Sequence, residues 1–214
     1  MLHLIRCNTP RGTQGVIIQP NTYTINVGKG GAENNNGNDS SAFGATCLGG
    51  GSTLHVAFDV PNAGRSGGSG SGGSSGYNQG TGASGGVGVS LKGTGLLSTG
   101  ILYNGNVGGV GGSQNGNSPF IVCSGGGGGA GNAGKSTINN TRYNNASNYQ
   151  AWITDGSPGA GGDGVFVNIT GVNYYWGGGG GGGSLRTLSG TGGLGGGGAG
   201  SQFEGTTSRK RFAV

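Results

Sequence analysis

Apolar residues enter this chain in short bursts, and one burst alternates cleanly. In residues 22–27 (TYTINV), Tyr23, Ile25 and Val27 fall on one side of an extended backbone, with Thr22, Thr24 and Asn26 on the other. That two-residue period predicts a half-buried strand, stopped by Gly28-Lys29-Gly30-Gly31. Residues 15–20 (GVIIQP) predict a short strand closing on a Pro-Asn turn, and 53–60 (TLHVAFDV) predict another. Smaller apolar islands lie at 42–48, 87–91, 101–103, 119–123 and 164–176, while 1–14 read as irregular. No stretch keeps a 3.6-residue period, so essentially no α-helix is expected.

Between the islands the chain is dominated by glycine, 60 of 214 residues. Ordering glycine costs more backbone entropy than ordering any other residue. A chain this rich in it is therefore either disordered or built on a lattice that glycine alone fits. The tract 105–112 (GNVGGVGG) favours the lattice, because Val107 and Val110 recur at a spacing of three. An extended left-handed helix of the polyproline II type has three residues per turn and no internal hydrogen bonds. Its peptide groups point outward and need partners. Glycine tracts in that form can approach closely enough to bond to one another. The expected fold is mainly non-helical: a bundle or sandwich of packed polyglycine II helices with short β-strands at its edges. The run 177–183 would be an interior member, with Gly177, Gly180 and Gly183 as structural glycines where any side chain pushes neighbours apart. Tyr174, Tyr175 and Trp176 would cover it as a small apolar cap.

Composition narrows the alternatives. Hydrophobic residues make up 30% of the chain and charged residues 8%, too few of the first for an ordinary core and too few of the second for a solvated disordered chain. Only 5 prolines occur and no Gly-X-Y register is kept, which excludes collagen. The net charge of +5 is mild, and its one local cluster, Arg209-Lys210-Arg211, reads as a solvated tail. Neither nucleic-acid binding nor membrane insertion is expected. Cys7, Cys47 and Cys123 lack any CxxC spacing, giving no zinc site and no disulfide framework; one bridge or three free thiols both fit. No metal or cofactor is expected.

Several motifs imitate enzyme chemistry. Residues 129–136 (GAGNAGKS) match the P-loop pattern, in which backbone N–H groups cradle phosphate, Lys135 reaches the terminal phosphates and Ser136 binds magnesium. The pattern needs a helix after it, and the Asn-rich 137–148 has no apolar stripe. Residues 72–76 and 82–86 match G-x-S-x-G without the strand, helix and histidine base of a nucleophile elbow; His3 and His55 are the only histidines. Asp155 and Asp163 sit in turn-like DG contexts instead of flanking a substrate cleft. The expectation is a protein that is not an enzyme. The stronger candidate is a binding loop, 135–155, free of glycine. Its Asn139, Arg142, Tyr143, Asn144, Tyr149 and Trp152 combine rigid aromatic area with adaptable hydrogen bonding. Packing of Trp152 onto the lattice edge is the competing reading.

Four blocks occur in order: TYTINVGKGG at 22–31, NGNDSSAFGATCLGGG at 36–51, GGDGVFVNITGVNYYWGGGGGGG at 161–183 and GTGGLGGGGAG at 190–200. Together they resemble the glycine-rich domain of phage tail-fibre and adhesin proteins and of surface proteins of large DNA viruses. That resemblance implies a single polyglycine II domain over 15–204, between an attachment segment at 1–14 and a basic tail at 205–214. It also implies a virion surface protein, a tail-fibre or capsid-fibre component outside the particle. Its partners would be other virion proteins and a host surface glycan or outer-surface protein reached through exposed loops. A purely structural minor capsid or fibre subunit is the alternative. So is a secreted ice-binding or matrix protein, against which the scattered threonines argue.

Overall fold

The alternating segment 22–27 does not form a strand. The structure, a computed structural model, describes residues 3–9, 12–18, 20–43, 45–53, 62–74, 82–92, 101–112, 123–139, 156–168, 171–185, 188–204 and 207–209. Within it, 22–27 runs extended and bridges its neighbour only between Asn26 and Ser41. Ile25 is 61% and Val27 85% exposed. Tyr23 is half-buried and meets Phe43 edge-on, with ring centroids 5.1 Å apart. Alternation gives a half-buried strand only where a sheet receives the apolar face, and no described strand covers Ile25 or Val27.

The strands that do form are short, and no helix occurs among the described residues. β1 (His3–Thr9) and β2 (Gly12–Ile18) make an antiparallel pair that aligns Leu4 with Ile17 and Ile5 with Val16. Residues 3–9 and 12–14 are therefore in strands where irregular chain was expected, and the expected boundary at residue 15 cuts through β2. β3 (Ser40–Ala42) pairs with β4 (Ala45–Cys47), β5 (Ser90–Lys92) with β6 (Ile101–Asn104), β7 (Ile138–Asn139) with β8 (Gly156–Ser157), and β9 (Val165–Val167) with β10 (Tyr174–Trp176), all antiparallel. β11 (Ser184–Leu185) lies parallel to β12 (Gln202–Glu204), which pairs antiparallel with β13 (Thr207–Arg209). The expected tail thus begins inside a sheet; Lys210 and Arg211 lie outside the described residues. The expected strand at 53–60 falls on residues that, apart from Thr53, are likewise outside.

Each middle pair joins two glycine tracts that bond to one another. β5–β6 links 82–89 to 105–112, whose Gly108 and Gly111 amides donate to Gly86 and Ala83 carbonyls at 2.9 Å. β9–β10 links 158–164 to 177–183, where Gly179 and Gly182 donate to Gly162 and Gly159 at 2.8 Å.

The tract 123–130 lies at the centre, and its donors rotate. Ser124, Gly127 and Ala130 donate to Gly183, Gly180 and Gly177; Gly125 and Gly128 to Gly73 and Gly70; Gly126 and Gly129 to Lys135 and Asn132, at 2.8–2.9 Å. Every third amide therefore reaches the same neighbour. The carbonyls add two more neighbours: Cys123 and Gly126 accept from Gly112 and Gly109, and Ser124 and Gly127 accept from Gly159 and Gly162. Bonds among these neighbours order them around the centre as 177–183, 158–164, 132–137, 105–112 and 67–74. Between 67–74 and 177–183, no such bond closes the ring.

The interior is made of backbone. Among the described residues Cys123, at 3% exposure, is the one buried hydrophobic residue; Ser71 and Ser184 are the buried polar ones. The rest of the buried positions are mainly glycines. A Cβ on Gly126 would fall on the Ala160 carbonyl, and one on Gly161 on that of Gly179. Each hydrogen bond contributes only about 0.5–1.5 kcal/mol net, against about 1–2 kcal/mol to order each backbone unit. Close approach then adds dispersion between tracts, and an unpaired interior amide is costly, so the tracts stand or fall together.

The buried Ser71 hydroxyl ties its tract to the segments at Ser52 and Arg65. Its Oγ donates to the Ser52 carbonyl at 2.7 Å and accepts from the Arg65 amide at 2.9 Å. Ser71→Ala is expected to cost about 1–2 kcal/mol, read as a lower urea midpoint with an unchanged slope.

Candidate functional site

A groove of about 820 Å³ runs along the gap in the ring. Gly68–Ser71 (residues 68–71) form one wall, 177–181 the other, Gly127 and Gly128 the floor, and Leu48, Gly50 and Gly51 an upper rim. Val165, Val167 and Trp176 close one end. Trp176 reaches it from β10, which places successive side chains on opposite faces. Tyr175 packs edge-on to Phe166 with centroids 5.5 Å apart, while Tyr174 and Trp176 are 6.0 Å apart. Tyr174, Tyr175 and Trp176 are all exposed, Trp176 to 62%. They were expected to cover the glycine run. Instead a two-stranded ribbon holds them outward, and Trp176 borders the end of the groove.

The glycines 177, 180 and 183 share one face, as their spacing predicts, but at Gly180 that face is open. A Cβ on Gly180 would meet nothing nearer than the Gly198 carbonyl oxygen at 3.7 Å. A Cβ on Gly183 would press on Ser201, its Oγ at 3.1 Å and its carbonyl oxygen at 3.2 Å. The expectation that Gly180 admits no side chain is thus corrected; Gly179, Gly181 and Gly182, whose Cβ would fall on neighbouring carbonyls, are the packed positions. Gly177 needs glycine for another reason: its φ of +74° lies in the left-handed region, where β10 ends and the tract begins.

Of the expected binding loop, Asn139 lies in β7 opposite Gly156. Arg142, Tyr143, Asn144, Tyr149 and Trp152 lie outside the described residues, as does Asp155.

The imitation motifs are occupied by internal bonds. In the P-loop-like stretch, the Gly129, Ala130, Gly131, Asn132, Gly134 and Lys135 amides donate to carbonyls of Asn132, Gly177, Asp163, Asp163, Val107 and Ala160. Ser136 Oγ accepts from the Val110 amide at 2.9 Å, and β7 follows where a helix is required. Asp163 Oδ1 accepts from the Leu194 amide at 2.9 Å and holds the 190–194 tract in place. Cys47 lies exposed beside the groove, and Cys123 is buried. No cluster of His, Cys, Asp and Glu fit for a metal ion occurs among the described residues.

Sequence reasoning missed the groove. Its signal was the spacing of three within 177–183, but which of three faces lacks a neighbour depends on tracts far away in the chain. No family model, curated protein or solved structure matches this chain. No helix among the described residues is long and apolar enough to cross a membrane.

Proposed function

We propose that the glycine tracts are polyglycine II helices packed in a hexagonal bundle, and that the bundle is a non-enzymatic scaffold carrying exposed loops outside a virion. The observation that carries the architecture is the rotation of partners around 123–130, where each third amide returns to the same neighbour. Three residues per turn generate that pattern; a β-strand would alternate with period two. A scaffold held by backbone bonds leaves its connections free to vary, and loops on a rigid frame are where binding residues concentrate.

The place on a virion exterior, as a tail-fibre or capsid-fibre component contacting other virion proteins and the host surface, rests on the four ordered blocks at 22–31, 36–51, 161–183 and 190–200. The P-loop-like amides, donating inward, support a role without nucleotide chemistry. Gold-labelled antibodies against the protein are expected to decorate the outside of intact particles produced with it, at fibres or projections, under the electron microscope. Labelling that appears only after particles are disrupted, or only on particle-free material, would sink the virion reading and leave the scaffold reading to its own tests.

A further inference from the structure

The gap beside the central tract has a hydrogen-bonding pattern of its own. Around 123–130, neighbours that accept from it and neighbours that donate to it alternate: 177–183 accepts, 158–164 donates, 132–137 accepts, 105–112 donates, 67–74 accepts. The sixth position, between 67–74 and 177–183, should be held by a donor. The carbonyls left to meet it are those of Gly125 and Gly128, three residues apart, and neither has a partner in the protein. The two walls are equally unspent. The Ser69 and Gly72 amides on one side, and the Gly180 and Gly183 amides on the other, donate to nothing. Gly70, Ser71, Gly73 and Ser74 beside the first pair, and Gly179, Gly181 and Gly182 beside the second, all donate to neighbouring tracts. Of the free groups, those of Gly128, Ser69 and Gly180 line the groove and form one rung, a floor carbonyl with a wall amide on either side.

Glycine placement agrees. Gly50, Gly127 and Gly180 line this groove, and a Cβ on each would meet no atom nearer than 3.5 Å. Packing within the chain does not require glycine at these three positions, unlike most tract glycines, whose Cβ would fall on backbone.

We infer that the groove is a vacant position in the array and accepts a glycine-rich extended segment of a partner chain. The occupant must donate toward one side and accept from two, with a three-residue repeat, and must come close to glycine walls. Polyproline has the same helical form but no N–H for the floor carbonyls. The described glycine tracts of this chain are already bonded into the array and cannot supply it. The inference rests on the three-residue geometry of the tracts and not on the virion placement.

The probe is a peptide of about nine glycines, three turns of such a helix, flanked by lysines for solubility and titrated into the full-length ¹⁵N-labelled protein. At about ten times its Kd, the Ser69 and Gly180 amides should exchange with solvent about tenfold more slowly, with an oligoproline of equal length inactive. Gly127→Val places its side chain over the floor, nearest atoms Gly180 N at 3.5 Å and Gly70 O at 3.8 Å. It should keep the slow exchange of Gly126 and Gly182 and lose the peptide effect. Unchanged Ser69 and Gly180 exchange at millimolar peptide, in a protein whose other tract amides stay protected, overturns the docking site alone. Equal binding of oligoproline overturns the choice of glycine. A peptide-free dimer that Gly127→Val dissociates overturns the partner chain in favour of a second copy. Loss of the three-residue exchange pattern in the free protein overturns the inference together with the polyglycine II reading.

Discussion

Gly182→Ala is expected to destabilise the protein by about 3 kcal/mol or more, while Gly180→Ala, two residues away in the same run, is expected to be neutral or slightly stabilising. Local sequence is the same at both positions, so intrinsic propensity predicts no difference. The surroundings differ. Gly182 is buried, donates to Gly159 and accepts from Gly190 at 2.8 Å, and its Cβ would fall on the Ser124 carbonyl with Gly125 O at 2.9 Å. Those atoms belong to backbone already bonded on other sides, so no side chain can swing away. Overpacking typically costs about 1–3 kcal/mol, and an immovable neighbour places this case at the top of that range or above it. Gly180 is exposed, and its Cβ would sit 3.7 Å from the nearest atom. Restricting the unfolded chain there gains about 0.4–1 kcal/mol. Calorimetry should therefore separate the two variants by about 10 °C or more in a chain of this length. Equal melting temperatures would mean that 177–183 is not packed as described.

How much of this was legible can be judged at particular residues. The absence of helix among the described residues and the division into short strands and glycine tracts followed from periodicity and composition. The spacing of three at Val107 and Val110 pointed toward the partner rotation seen around 123–130. Yet both valines are exposed, because the period reports a face and says nothing of what meets it. The same gap between face and neighbour accounts for Gly180 and for Ile25 and Val27. In an ordinary domain an apolar face implies a core, since burial stabilises it. Among the described residues the interior is peptide groups, so the apolar ones are left at the margins, and hydrophobic alternation loses its usual meaning. β1 was missed because HLIRCNT holds little alternation, and its pairing with β2 is a register between two strands that neither segment carries alone. The groove was out of reach for a topological reason: it borders 48–53, 67–74, 123–130 and 177–183, brought together by bonds that no local pattern encodes.

The second large effect is in hydrogen exchange across seven chemically identical residues. Along 177–183, the amides of Gly178, Gly179, Gly181 and Gly182 donate to Gly195, Gly162, Gly198 and Gly159 at 2.8–3.0 Å, while those of Gly177, Gly180 and Gly183 have no acceptor in the protein. Intrinsic exchange rates are nearly uniform in a glycine run, so differences report structure. The four bonded amides belong to a cooperative backbone lattice and should open mainly with the whole domain. At a modest global stability of about 5 kcal/mol, they should exchange on the order of 10³-fold more slowly than unstructured glycine. The three unbonded amides should exchange within about tenfold of the unstructured rate, since no hydrogen bond needs to break first. NMR of the free protein is then expected to show fast exchange at every third position. A flexible linker would be fast at all seven, and a β-strand would alternate with period two. The pattern also separates this run from 124–130, where all seven amides are bonded and none should be fast. A run-wide uniform rate would remove the three-residue repeat on which the scaffold reading depends. A period of three with the fast set moved to Gly178 and Gly181 would keep the repeat but rotate the tract, turning the groove-facing amides toward 158–164.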